Sequence, residues 1–264
     1  MNTANLTIAP PKEIVDIAEN AMTSKASTPL SKSFVLAIAA GAYIAFGFVF
    51  YTTTQVGAAA IPTGVAKLLG GMAFSVGLIM VVMTGADLFT STTMSLMAKA
   101  GGKITWGRLF SHWVVVWVGN FVGSLLIVFI CYFGNLQGNM KGQWGAVVTA
   151  TATAKLSHAP LQNFVLGIGC NLLVCLAVWM AFAGKTVADK VLGIVGPIAL
   201  FVASGFEHSV ANMFMLPYGL LLDYGHGPLT IANLFLVNLI PVTLGNIVGG
   251  GIMHGMVYWW VHKK

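Results

Sequence analysis

Six apolar stretches decide what this chain can fold into. They run over about 34–51, 68–97, 109–133, 164–182, 191–222 and 231–261, and each is near or beyond the roughly 20 residues a helix needs to cross a hydrocarbon core. None shows the ten-residue alternation of a membrane barrel. Charged side chains make up 8% of the 264 residues and hydrophobic ones 57%, whereas soluble proteins carry roughly 25% charge. This composition excludes a soluble globule and a disordered chain, and without a basic patch it excludes nucleic acid as a partner. An all-α integral membrane protein with six transmembrane helices is predicted, its partner the lipid membrane.

The basic residues orient the spans. With the N-terminus inside, Lys12, Lys25, Lys32, Lys99, Lys103, Arg108, Lys185, Lys190, Lys263 and Lys264 are cytoplasmic, and only Lys67, Lys141 and Lys155 are outside. Ten against three satisfies the positive-inside rule and places both termini in the cytosol. The first 33 residues hold no apolar stretch that could serve as a signal peptide, so the domain reading is a cytoplasmic segment 1–33 and a membrane domain 34–264. Within 10–27, Ile14, Val15, Ile17, Ala18 and Met22 fall at near-helical spacing opposite Glu13, Asp16 and Glu19. That pattern predicts an amphipathic helix lying at the cytoplasmic face as a surface anchor, with a gating plug as the lesser alternative. Cys131, Cys170 and Cys175 sit inside apolar runs and read as packing residues, not disulfides.

The chain repeats itself over about 34–133 and 164–261. Phe34-Val35-Leu36-Ala37-Ile38 answers Phe164-Val165-Leu166-Gly167-Ile168, and Gly85-Ala86-Asp87 answers Gly205-Phe206-Glu207. Gly119-Asn120-Phe121-Val122-Gly123 answers Gly245-Asn246-Ile247-Val248-Gly249. Three spans per half make the second half enter from the opposite side. Such inverted repeats put their path between the halves, beside helices interrupted in mid-membrane. Spans two and five are the expected broken ones, at Thr84-Gly85-Ala86-Asp87 and Ser204-Gly205-Phe206-Glu207. The N-termini of the resulting half-helices suit an anion. No Gly-rich loop for an ATP phosphate is present, so transport is passive or coupled to an ion gradient.

At these residues the chain resembles the formate–nitrite transporter family, over nearly its whole length. The resemblance rests on 85–90 and on Gly205-Phe206-Glu207-His208-Ser209-Val210-Ala211-Asn212-Met213, supported by Pro241-Val242-Thr243-Leu244-Gly245-Asn246 and by Lys155 and Asn171. It implies an aquaporin-like fold and a homopentamer with one path per protomer in a bacterial inner membrane. The implied cargo is formate and related small monovalent anions, with nitrite, acetate and hydrosulfide as further candidates. By the same resemblance, constrictions fall at Phe74, Leu78 and Phe201, with Leu88 and Phe89 nearby. His208 becomes the central polar group with Thr90 as its partner, Asn171 stands close by, Asn246 faces the path, and Lys155 lies in the outer vestibule. No cofactor is implied.

His208 also stands out on physical grounds, because ionisable groups at membrane depth are rare and usually line a path. A bare carboxylate entering an apolar constriction costs on the order of 20 kcal/mol by the idealised Born argument, and several after relaxation. Protonating a carboxylic acid of pKa ~4 at pH 7 costs roughly 4 kcal/mol. A central imidazole therefore either lends a proton or acts as a neutral hydrogen-bond donor. Asp87 and Glu207 read as structural groups that cap the freed amides beside Gly85 and Gly205. His112 and His254 read as packing or interface groups, and His158, His226 and His262 as surface residues. The competing class is an intramembrane hydrolase. The two acids lack the facing-aspartate pattern of an aspartyl protease, which leaves Ser204 or Ser209 beside His208. No catalytic residue and no metal site is assigned, since the histidines and cysteines are scattered.

Overall fold

The structure, a computed structural model, describes residues 8–263; Lys264 lies outside them. It is helical throughout. Helix α1 (Pro11–Ser27) leads into α2 (Leu30–Gln55) and α3 (Thr63–Thr84). After a four-residue gap come α4 (Phe89–Thr92), a 3-10 turn and α5 (Leu96–Ala100), then α6 (Trp106–Phe133). The second half runs through α7 (Gln143–Leu156), α8 (Pro160–Ala183) and α9 (Val187–Ala203), and after another gap α10 (Ser209–Asp223). It closes with α11 (Ile231–Asn233), α12 (Ile240–Asn246) and α13 (Val257–Lys263), joined by π-helical turns into one continuous helix. Among the described residues, five helices are long and apolar enough to cross a membrane: α2, α3, α6, α8 and the continuous one over Ile231–Lys263. The apolar run over 191–222 is divided between α9 and α10.

Local chemistry explains the boundaries. Thr105 accepts the Arg108 amide at the start of α6, and Thr186 with Asp189 forms a reciprocal capping box at α9. Those backbone hydrogen bonds hold the exposed Asp189 carboxyl below the usual aspartate range. Helices α3 and α9 both stop at a glycine in the left-handed region, Gly85 at φ 75° and Gly205 at φ 78°, where nothing crowds a Cβ but only glycine is unstrained. The two breaks also share backbone hydrogen bonds. Ala86 N–H reaches Val81 O and Phe206 N–H reaches Phe201 O, each at 3.1 Å. Asp87 N–H reaches Leu36 O and Glu207 N–H reaches Leu166 O, each at 3.3 Å.

Helices α2 and α6 meet backbone to backbone, because a methyl on Gly41 or Gly123 would overlap the carbonyls of Asn120 and Ile38. In the second half Gly245 and Gly249 face the carbonyls of Phe164 and Ile168 in the same way.

Two regions depart from expectation. The run of small residues over 149–153 that precedes Lys155, expected outside the membrane as a loop, lies in helix α7, which buries Trp144, Val148, Ala152 and Leu156 at every fourth position. Helix α1 is not a membrane-surface anchor. Its apolar side, Val15, Ala18 and Met22, is buried in the protein. Glu19, expected on the opposite face, is buried with it and accepts from Lys103 Nζ (2.8 Å), Lys263 Nζ (2.9 Å) and Trp259 Nε1 (3.0 Å). Burial alone would raise the Glu19 carboxyl, but these donors hold it below the ordinary glutamate value. Arg108 adds hydrogen bonds to the carbonyls of Ala26 and Thr28 at the end of α1.

Candidate functional site

The second break presents His208. Its backbone is extended, and it occupies the N-cap of α10 with its own ring: Nδ1 accepts the Ala211 amide at 3.0 Å. Nε2 meets Thr90 Oγ1 from the first half, also at 3.0 Å. An Nδ1 that accepts a backbone N–H carries no proton, so the hydrogen-bond network assigns the single proton of the neutral ring to Nε2. The ring stacks on Phe201 at 5.8 Å and 17°, and Phe201 meets Phe74 edge-on at 5.8 Å. His208, Phe201 and Phe74 line a cavity of about 190 Å³ with Lys155, Glu207, Tyr51 and Gly205. His158, expected on the surface, borders it too.

The acid beside the ring serves a different task from the one expected. Glu207 caps no helix; its carboxylate accepts from Lys155 Nζ at 2.9 Å, Asn212 Nδ2 at 2.6 Å and Asn238 Nδ2 at 3.3 Å. The cap belongs to His208, because the Glu207 side chain turns toward the ammonium on α7. Lys155 is therefore a helical, largely buried residue at the cavity wall.

The first break repeats the arrangement with other residues. Asp87, likewise no cap, binds Lys25 Nζ from α1 at 2.6 Å, and its second oxygen lies 3.7 Å from His112 Nε2. His112, read as packing, is thus fully buried against the acid. Lys25, Ser91, Gly85 and Lys190 line a second cavity of about 120 Å³, closed on one side by Met22 of α1. Sequence reasoning missed this lysine, although Lys25 and Lys155 share the 130-residue offset of Phe34 and Phe164. That shared offset pairs α1 with α7.

The other expected site residues border neither of these two cavities. Leu78 and Leu88 are buried and line neither cavity, and Phe89 packs on Trp113 at 6.5 Å beside an apolar groove of α6 and α12. Asn171 directs its amide to Thr90 O (3.0 Å), Thr93 Oγ1 (3.1 Å) and Asn246 O (2.6 Å). Asn246 binds Ser209 N–H, Gly167 O and Glu207 O. Both brace backbone and border neither cavity. Nor does His208 address a serine: both its nitrogens are bonded elsewhere, so it is not paired as a base with Ser204 or Ser209.

Known proteins resemble the chain in sequence and in fold. The family model for formate/nitrite transporters matches residues 12–260. The chain is 48% identical to the formate channel FocA of Haemophilus influenzae over 96% of its own length and 94% of the relative's. It is 46% identical to FocA of Escherichia coli over the same shares, and 40% identical to a probable formate transporter of Methanothermobacter thermautotrophicus over 91% and 92%. A solved structure described as a pentameric formate channel with formate bound superimposes with a TM-score of 0.83 at 48% identity, covering 89% of this chain and 98% of that one.

Proposed function

The chain belongs to the formate/nitrite transporter family and is a multi-pass membrane protein, and on that premise we propose that it is a passive, proton-linked channel for formate. Each interrupted segment, α3 to α5 and α9 to α10, counts as one crossing, which makes six in an inverted three-plus-three repeat. The working unit is a homopentamer in a bacterial inner membrane, with both termini cytoplasmic. Relatives and a solved neighbour described as formate channels support formate over nitrite or hydrosulfide.

Lys155 raises the local anion concentration at the outer cavity, and Lys25 does so at the inner one. Between them the anion meets Phe74, Phe201, Leu78 and Leu88, where a bare charge is costly. The observation that carries the mechanism is the double engagement of His208. A ring protonated on both nitrogens would set an N–H against the Ala211 amide and lose the cap. The neutral ring has one proton, on Nε2, and giving it up would leave an imidazolate. His208 therefore works as a hydrogen-bond donor, exchanging Thr90 Oγ1 for a formate oxygen. The proton that neutralises formate comes from solvent in the Lys155 cavity.

Formate uptake into proteoliposomes tests this. His208→Phe, which keeps the stack on Phe201 and removes the donor, should lower formate flux by at least about fivefold, the worth of one net hydrogen bond. Flux equal to the parent's defeats the reading. Nitrite and hydrosulfide offered in competition report selectivity.

A further inference from the structure

Two asparagines, one per half, make the same three hydrogen bonds. Asn120 Oδ1 accepts Phe89 N–H at 2.8 Å, and its Nδ2 donates to Asp87 O (2.9 Å) and Ala37 O (2.8 Å). Asn246 Oδ1 accepts Ser209 N–H at 3.0 Å, and its Nδ2 donates to Glu207 O (3.1 Å) and Gly167 O (2.8 Å). Both side chains are fully buried. In each case the amide grips the peptide groups on either side of a single residue, Leu88 in the first half and His208 in the second. Those two residues have nearly the same extended backbone, φ −98° and ψ 125° against φ −110° and ψ 116°. The third bond ties the break to the first long helix of the same half, α2 or α8.

Close helix packing accounts for the glycines that flank each asparagine, but it does not call for an amide. What calls for one is the break itself. Where α3 and α9 stop, carbonyls and the first amides of the next helix lose their intrahelical partners, and in a membrane no water replaces them. One planar group offering an acceptor and two donors satisfies three of them at once. We propose that Asn120 and Asn246 are paired positioning residues, each pinning the one residue set at its break, so that Leu88 and His208 are the apolar and the polar occupant of one duplicated position. This deepens the channel reading and removes Asn246 from the set of residues that touch the anion.

Hydrogen exchange read by mass spectrometry on the full-length protein, with formate flux measured alongside, tests the proposal. Asn246→Ala should speed exchange over 205–212 by at least about fivefold, the factor for losing one net hydrogen bond, and leave 85–92 unchanged. Asn120→Ala should do the reverse. Asn246→Asp, which keeps an oxygen opposite the Ser209 amide, should preserve protection at Ser209 and decides the matter if the alanine variant does not assemble. Exchange unchanged in the facing segment, faster in both segments alike, or lost at Ser209 in Asn246→Asp overturns the proposal. In the transport arm, Asn246→Ala should cost at least about fivefold in formate flux and Asn246→Asp less; alanine flux within twofold of the parent overturns the positioning role. A parent that carries no formate sinks the channel reading alone, since the exchange arm does not depend on it.

Discussion

Replacing Glu207 with Gln changes one atom and should damage the protein out of proportion to it. Three donors converge on this carboxylate: Lys155 Nζ at 2.9 Å, Asn212 Nδ2 at 2.6 Å and Asn238 Nδ2 at 3.3 Å. The carboxylate only accepts, so all three are satisfied. A glutamine amide in the same place turns one oxygen into a donor and sets N–H groups against N–H groups. It also leaves the Lys155 ammonium, whose side chain is 16% exposed, without its counter-charge. Breaking a buried pair from one side costs about 3–5 kcal/mol. The partial exposure of Lys155 argues for the lower end, about 3 kcal/mol, because water screens the orphaned charge. At roughly 2–4 °C per kcal/mol for a chain of this size, the apparent melting temperature should fall by about 6–12 °C. Tryptophan fluorescence on detergent-solubilised protein at a fixed scan rate reads it; Trp144 packs on Tyr218, close to α10. Adding Lys155→Met should recover more than half of the loss, since a neutral pair of similar volume removes the uncompensated charge. A single variant melting within about 2 °C of the parent, or a double variant no better than the single, refutes the reasoning.

Further outcomes follow from the same contacts. Thr90→Val, which keeps the shape and removes the hydroxyl, leaves the His208 Nε2–H without a protein partner and should destabilise by about 1–3 kcal/mol, read as a melting shift. Gly85→Ala meets no atoms and should cost only the left-handed backbone penalty of about 1–2 kcal/mol, whereas Gly41→Ala collides with the Asn120 carbonyl and should abolish folded, monodisperse protein on gel filtration. For Glu19 the folded carboxyl titrates below its unfolded value. Its contribution to docking α1 is therefore complete above the ordinary glutamate range near pH ~4.3 and lost as pH falls through the lower folded value. Protease cleavage or hydrogen exchange within α1 should rise across that acid window and stay flat above it.

Much of the architecture was legible because lipid imposes a coarse code: apolar runs mark the long helices, and Gly85 and Gly205 mark where two of them stop. The repeat was legible from three short identities. Its full extent was not, since α1 and α7 match only near their ends, at Thr23 and Thr153, Lys25 and Lys155, and Ser27 and Ser157, and longer identities were the signal followed. The amphipathic pattern of α1 gave a helix in the right place but could not tell a lipid surface from a protein one. Only the buried Glu19, with partners from 84 and 244 residues downstream (103 − 19 and 263 − 19), decides that. Caps were misread for a physical reason. Acids usually cap, but here a long-range ammonium outcompetes the local amides for each carboxylate; the cap of α10 falls to the His208 ring, and the Phe89 amide at the first break is taken by Asn120. The π-helical turns of the last helix left no periodic trace among so many glycines.

The contact between α2 and α6, and its counterpart in the second half, has a consequence for how anions cross. Where main chain touches main chain there are no side-chain rotamers to give way, so neither partner can slide or roll without prying the whole seam open. A carrier that rocked one bundle against another would have to break these seams on every cycle. On the proposed channel reading the scaffold around His208 stays fixed while cargo passes, whereas α1 is held by ionic ties, Glu19 to Lys103 and Lys263 and Lys25 to Asp87.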